Sequence, residues 1–210
     1  MTQILKQIID SLDSQNWSDL PATFSKINDL LTHINSNRNL LYEELASESF
    51  AERVSIAKKS KEVSTHFKWC IHKEERLGYN VWIHEYKDKQ SRRLGYAEVL
   101  HNHRYWFSSL ILSGGFEHYR YNVERIDDFS FKQISVTEVI NYSKGDIYTI
   151  DSDVVHTLKN IKDSTLTLVI GSKGIKPYSE EFVPSTKKIN RHYPFLSRIE
   201  KEYPFLKKII

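Results

Sequence analysis

Apolar and polar positions follow two different periods along this chain. Over the first 60 residues the period is helical. Ile4, Leu5, Ile8, Ile9 and Leu12 form one stripe, and after Pro21 a second runs through Phe24, Ile27, Leu30, Leu31 and Ile34. The Asn35-Ser36-Asn37 cluster breaks that stripe, and a third helical pattern covers residues 38–59. From His66 onward the period is two. FKWCIHKE and YNVWIHEY flank Glu75-Arg76-Leu77-Gly78 and predict a hairpin. YAEVLHNH, WFSSLIL, EHYRYNV, ISVTEVINY, IYTID, VVHTLKN and TLTLVIG continue the pattern, punctuated by Gly114-Gly115, Gly145 and Asp151-Ser152-Asp153. Short strands this closely spaced predict a closed antiparallel barrel or jelly roll. After Gly174 the chain reads as irregular. Tyr-Pro-Phe-Leu then occurs twice, at Tyr193–Leu196 and Tyr203–Leu206. The first reading is two helical turns packed on the barrel; an oligomer contact is the second.

Composition narrows the classes. A chain of 210 residues suits one domain with an added helical segment, and 40% apolar residues suffice for a packed core. The net charge of +3 is small and spread along the chain, which argues against a nucleic-acid partner. Cys70 is the only cysteine, so an intramolecular disulfide is impossible and a thiolate zinc site is disfavoured. No apolar run approaches the roughly 18 residues of a membrane span. The start, MTQILKQIIDSLDSQNW, lacks the continuous apolar core of a signal peptide. The expectation is a cytoplasmic protein with no membrane partner.

The candidate chemistry lies in GYAEVLHNHRYWFSSLILSGG, residues 95–115. His101 and His103 are two apart in a predicted strand, so both imidazoles leave the same face of the sheet. On an inward face they would converge on one point and suit a metal ion. A carboxylate five residues after the second histidine would complete the site, but that position holds Ser108. Downstream, GDIYTIDSDVVHTLKN places His156 and Asn160 after a tight Asp-Ser-Asp turn.

Together these stretches resemble the cupin superfamily. Gly95, His101, His103 and Gly115 fall on the spacing of its first motif, and Gly145, His156 and Asn160 on that of its second. Asp151 and Asp153 stand where that motif has proline and glycine, and short polar side chains can still make the turn. The resemblance covers residues 66–172. It implies a mainly β fold: a cupin-type double-stranded β-helix (jelly-roll) barrel over 63–176, with an α-helical N-terminal extension over 1–62. Residues 177–210 would be a C-terminal tail packing on the barrel.

With Ser108 unable to replace a carboxylate ligand, the implied site is three neutral histidines, His101, His103 and His156. That ligand set is similar to the thiol dioxygenase branch of the cupins, whose type member is cysteine dioxygenase. The likeness implies one divalent metal ion, Fe(II) first, with Mn, Ni or Zn as alternatives, and a small-molecule substrate and O2 as partners. The function implied is an O2-dependent non-heme iron oxygenase of a small polar metabolite, thiol or amino-acid-like. Two rivals stand beside it. One is a non-oxidative metal cupin, an isomerase or lyase using Glu117 as carboxylate base. The other is a non-catalytic small-ligand-binding cupin. The branch's later Ser-His-Tyr trio has no counterpart in TLTLVIGSKGI, and no arginine is placed to hold a substrate carboxylate; Arg76, Arg92 and Arg93 all precede the motif.

Of the surrounding residues, Tyr148 is the first choice as proton donor and Tyr119 the second. Glu117 and His118 are adjacent in a predicted strand, so at most one faces inward. His72 and His84 read as structural, His33, His66 and His192 as surface residues, and Cys70 as core. The added helices would cap one barrel end or form a homodimer surface.

Overall fold

The computed structural model describes residues 3–47, 49–92, 95 and 97–194, with the backbone alone at Phe50. The first Tyr-Pro-Phe-Leu copy is therefore described only to Pro194, and the second, like Arg93, lies outside the described residues.

Four helices precede the sheets: α1 (Gln3–Asp13), α2 (Leu20–Ser36), α3 (Arg38–Ser47) and α4 (Phe50–Lys59). Asp19 caps α2 by accepting from the Ala22 N–H, and Asn37 closes it by donating its N–H to the Ile34 carbonyl. The third helical pattern, expected as one element, is two. Ser49 starts a new helix through a capping box: its Oγ accepts from the Glu52 N–H, and Glu52 Oε2 accepts from the Ser49 N–H at 2.9 Å.

Twelve strands follow: β1 (Lys61–Glu62), β2 (His66–Glu74), β3 (Tyr79–Tyr86), β4 (Leu100–His101), β5 (Phe107–Ser113), β6 (Gly115–Arg125), β7 (Phe131–Ser143), β8 (Ile147–Ile150), β9 (Val155–Lys159), β10 (Leu166–Ser172), β11 (Ser179–Val183) and β12 (Lys188–His192). They build two six-stranded antiparallel sheets, ordered β1-β2-β3-β10-β5-β8 and β12-β11-β4-β9-β6-β7. From β3 to β11 the chain passes repeatedly from one sheet to the other. This is the cupin-type jelly-roll barrel, with the helices outside it.

Two corrections concern the strands. YAEVLHNH contributes only Leu100–His101, because Gly95 begins a turn whose carbonyl accepts from the Glu98 and Val99 N–H groups. Residues after Gly174 are not all irregular: β11 and β12 form a hairpin that extends the second sheet through Glu181↔His101 and Phe182↔Leu100. Phe182 and Ile189 of this hairpin pack with Phe131 and Val155.

Alternation decides what faces where. On β5, Leu110 and Leu112 point out and join Phe24, Ile27, Leu31 and Ile34 of α2 in one core. Leu168 and Ile170 of β10 and Tyr79, Val81 and Ile83 of β3 complete that helix-on-sheet layer. Each buried aliphatic side chain there stabilises the fold by about 1.5–3 kcal/mol. On the inward face, Phe107 and Ile111 pack with Phe116, Tyr148, Leu158 and Val169 inside the barrel. At the β5–β6 crossing Gly114 has φ +71°, and a Cβ there would meet the Thr165 backbone at 2.7 Å, so glycine is required.

Candidate metal centre

His101 ends β4 and pairs across the sheet with His156 of β9. His103 lies beyond the strand, so the same-face rule that predicted its direction does not strictly apply. It reaches the site because the residues around it are pinned. Asn102, between the two histidines, exchanges backbone and side-chain hydrogen bonds with Glu180 of β11: its N–H donates to the Glu180 carbonyl (3.0 Å), its Nδ2 donates to Oε2 (2.8 Å), and its Oδ1 accepts from the Glu180 N–H (2.8 Å). Arg125 holds the same carboxylate with two nitrogens, at 3.1 and 2.7 Å. On the other side, the Arg104 carbonyl accepts from the Ile175 and Lys176 N–H groups. Asn102 thus turns away from the barrel while its two neighbours turn in.

The three histidines converge. Nε2 of His103 is 3.2 Å from Nε2 of His101 and 2.9 Å from Nε2 of His156, and the three ligand atoms lie within 4.8 Å of one another. Burial holds all three neutral. His101 is pushed down to about 4, and His103 and His156 fall well below the usual imidazole range, with neighbouring imidazoles adding to the effect. Neutral imidazole is the ligand form.

The far ring nitrogens are held as well. His101 Nδ1 donates to the Val99 carbonyl at 2.9 Å, which leaves the Nε2 lone pair facing the centre. His156 Nδ1 is 2.7 Å from Nε2 of His118, a fully buried residue of β6. Metal–imidazole bonds of about 2.1 Å set at right angles put two nitrogens roughly 3 Å apart, so the observed separations fit one divalent cation.

The carboxylate question has an answer in the register. Ser108 shares the outward face with Leu110 and Leu112, and its Oγ is 2.6 Å from Thr149 Oγ1, beneath Asn28 of α2. A glutamate there would not reach the centre. The inward neighbour is Phe107, whose ring meets that of His103 edge-on at 5.0 Å.

Of the other expected site residues, Tyr148 lines the cavity in front of the histidines, stacked on Tyr142 at 4.6 Å, and burial pushes its phenol far up. Glu117 is not brought to the site. His118 takes the inward position, and Glu117 stands on the outer face, where Oε2 accepts from the Tyr119 hydroxyl at 2.9 Å. Tyr119 lies out there too, under the Lys159 ammonium. Arg92 bonds the Ile161 carbonyl and so is committed elsewhere.

The cavity has a volume of about 240 Å³. Its wall opposite the three histidines comes from β2 and β3 and carries His66, Lys68 and His84. His66 is not the surface residue expected. Only 8% exposed, it packs on His84 and Tyr86, because β2 turns His66 and Lys68, ahead of its bulge at Cys70, toward the barrel interior. Lys68 was not singled out in the sequence, and the pairing Lys68↔His84 is the register that sets it inward. The Asp151 turn forms as expected, with Oδ1 accepting from the Asp153 and Val154 N–H groups.

The fold is a cupin-type jelly-roll barrel, and it carries a three-histidine cluster. No known family model matches the chain, and no curated protein does. Solved structures similar to it include KdgF from Halomonas sp. (14% identity over 54% of this chain and 85% of that one, TM-score 0.38) and ectoine synthase from P. lautus (10% identity, 68% and 89%, TM-score 0.39). The DMSP lyase DddQ from Ruegeria pomeroyi DSS-3 is similar at 12% identity, over 58% and 56%, with TM-score 0.38. At these identities and TM-scores they say nothing of what this chain binds or does.

Proposed function

We propose that this protein is an O2-dependent non-heme iron oxygenase, dioxygenase-like, of a small polar metabolite. One observation carries the reading: three neutral imidazoles converge in a buried cavity whose described lining residues include no carboxylate. Ferrous iron held there would keep its full double charge and offer open positions to O2 and to an anionic substrate group.

The chain's own residues supply the rest. Phe107 and Tyr105 flank His103 and keep bulk water from that side of the centre. Tyr148 is held protonated by burial and keeps a proton on Oη at the cavity wall. The rival Lewis-acid reading, with Glu117 as base, loses its base to the outer face. The same site with manganese, nickel or zinc remains the alternative ligand chemistry.

The test is metal content of the full chain purified anaerobically, beside a His101→Ala/His156→Ala variant, followed by oxygen uptake with small thiols and amino acids. Near-stoichiometric iron, lost in the variant, with substrate-dependent oxygen uptake supports the reading. Stoichiometric zinc or nickel without oxygen uptake refutes the oxygenase, and protein without metal refutes the metal centre and leaves a binding module.

A further inference from the structure

The cavity wall facing the three histidines bears polar groups that the metal centre does not use. His66 Nε2 and His84 Nε2 are both buried without a hydrogen-bond partner. His66 Nδ1 is already committed to the Thr65 hydroxyl at 2.8 Å, so it is the Nε2 edge that is left to interact with an occupant. The two rings lie 4.6 Å apart, on adjacent paired strands. Lys68, directly across from His84, lines the same cavity with its ammonium 5.3 Å from the centre of the Trp82 ring. Lys68 has no carboxylate partner among the described residues, and no acidic residue among them lines the cavity. Buried polar groups in proteins are normally satisfied, so two orphaned imidazole edges beside one cation mark a place where a ligand's acceptors belong.

We propose that Lys68, His66 and His84 form a carboxylate-binding subsite, which takes the acid group of the substrate while its reacting end lies toward His101, His103 and His156. The assignment rests on the metal-centre reading for the second half only. On this wall Lys68 supplies the one positive charge, which matches a monoanion; the other cation lining the cavity, Arg104, donates its Nε to the Lys176 carbonyl at 3.2 Å. Burial, with the Lys68 charge adding to it, pushes His66 down to about 3, so the imidazole acts as a neutral N–H donor and not as a second charge. The cavity of about 240 Å³ is smaller than the usual pocket for a drug-sized ligand, which points to a short-chain acid.

The probe is propionate, with propionamide as its neutral isostere, titrated into the full chain with and without metal. Tryptophan fluorescence and saturation-transfer NMR report binding, because Trp82 lies beside Lys68. Propionate is expected to bind at least about tenfold tighter than propionamide, and Lys68→Met to lose about tenfold while Lys68→Arg recovers part of it. Binding should persist in the His101→Ala/His156→Ala variant. His84→Phe serves as a second variant should Lys68→Met lower the melting temperature, and it too should weaken propionate. Absence of propionate binding, equal binding of the amide, or binding lost without metal yet unchanged in Lys68→Met would each overturn the assignment. Metal analysis of the same samples separates this result from the iron reading, since a metal-free protein that still prefers propionate would refute only the latter.

Discussion

His118 Nε2 and His156 Nδ1 lie 2.7 Å apart in the barrel interior, so one cluster histidine is oriented by a fourth that does not join the cluster. With His156 presenting Nε2 to a metal, its Nδ1–H donates to His118, which fixes both tautomer and ring angle. His118→Leu is therefore expected to fold, and to weaken metal affinity by about 10–100-fold. Competition with a chromogenic chelator measures it. Unchanged affinity would reduce His118 to a packing residue.

The Asn102–Glu180–Arg125 clamp holds the turn that separates His101 from His103. Asn102→Ala removes one side-chain partner of the 4%-exposed Glu180, leaving Arg125 as the other, and should cost about 1–3 kcal/mol of stability. Because His103 is positioned by that turn and not by a strand, metal affinity should fall in the same variant. Urea unfolding and metal titration on one preparation test both. A stability loss with intact affinity would mean that the Arg104 backbone contacts suffice.

Register, not motif spacing, sets where a fourth ligand could be added. Ser108→Glu would bury a carboxylate under α2 against Thr149 and should cost several kcal/mol by unpaired charge burial, without tightening metal binding. Phe107→Glu faces His103 and is the variant expected to tighten it. Thermal denaturation and chelator competition on the two variants decide the matter. Tighter metal binding by the Ser108 variant would show the register to be wrong by one residue.

Acid should unfold the metal-free protein early. His66 and His118 are pushed down to about 3, and His101 to about 4, in each case mainly by burial. An unfolded histidine titrates near 6.5, so below that pH the unfolded state binds protons that the folded state refuses. The stability present above pH 6.5 is then lost as pH falls toward 4, by roughly 1.4 kcal/mol per pH unit for each such imidazole. Urea midpoints at pH 7.5, 6 and 5 should fall progressively. A flat profile would mean that the imidazoles are hydrated.

Much of this protein can be read along the chain. The change of period at His66, the glycine turns and the short strands determined a helical segment before an antiparallel barrel, because periodicity and turn chemistry are local properties. Spacing also picked out His101, His103 and His156, since a His-x-His pair and a tight turn before the third are short-range patterns, although His103 proves to lie beyond the strand. Tertiary structure decided the rest. Pairing places Ser108 outside and Phe107 inside, and a shift of one residue exchanges the two faces of a strand. The strand pairing Lys68↔His84 likewise turns Lys68, and with it His66, inward; of these three hairpin residues only His84 read as more than a surface residue. Glu180 reaches Asn102 across 78 residues of chain. Which side chains meet in the cavity depends on how the two sheets close on each other, and no local pattern records that.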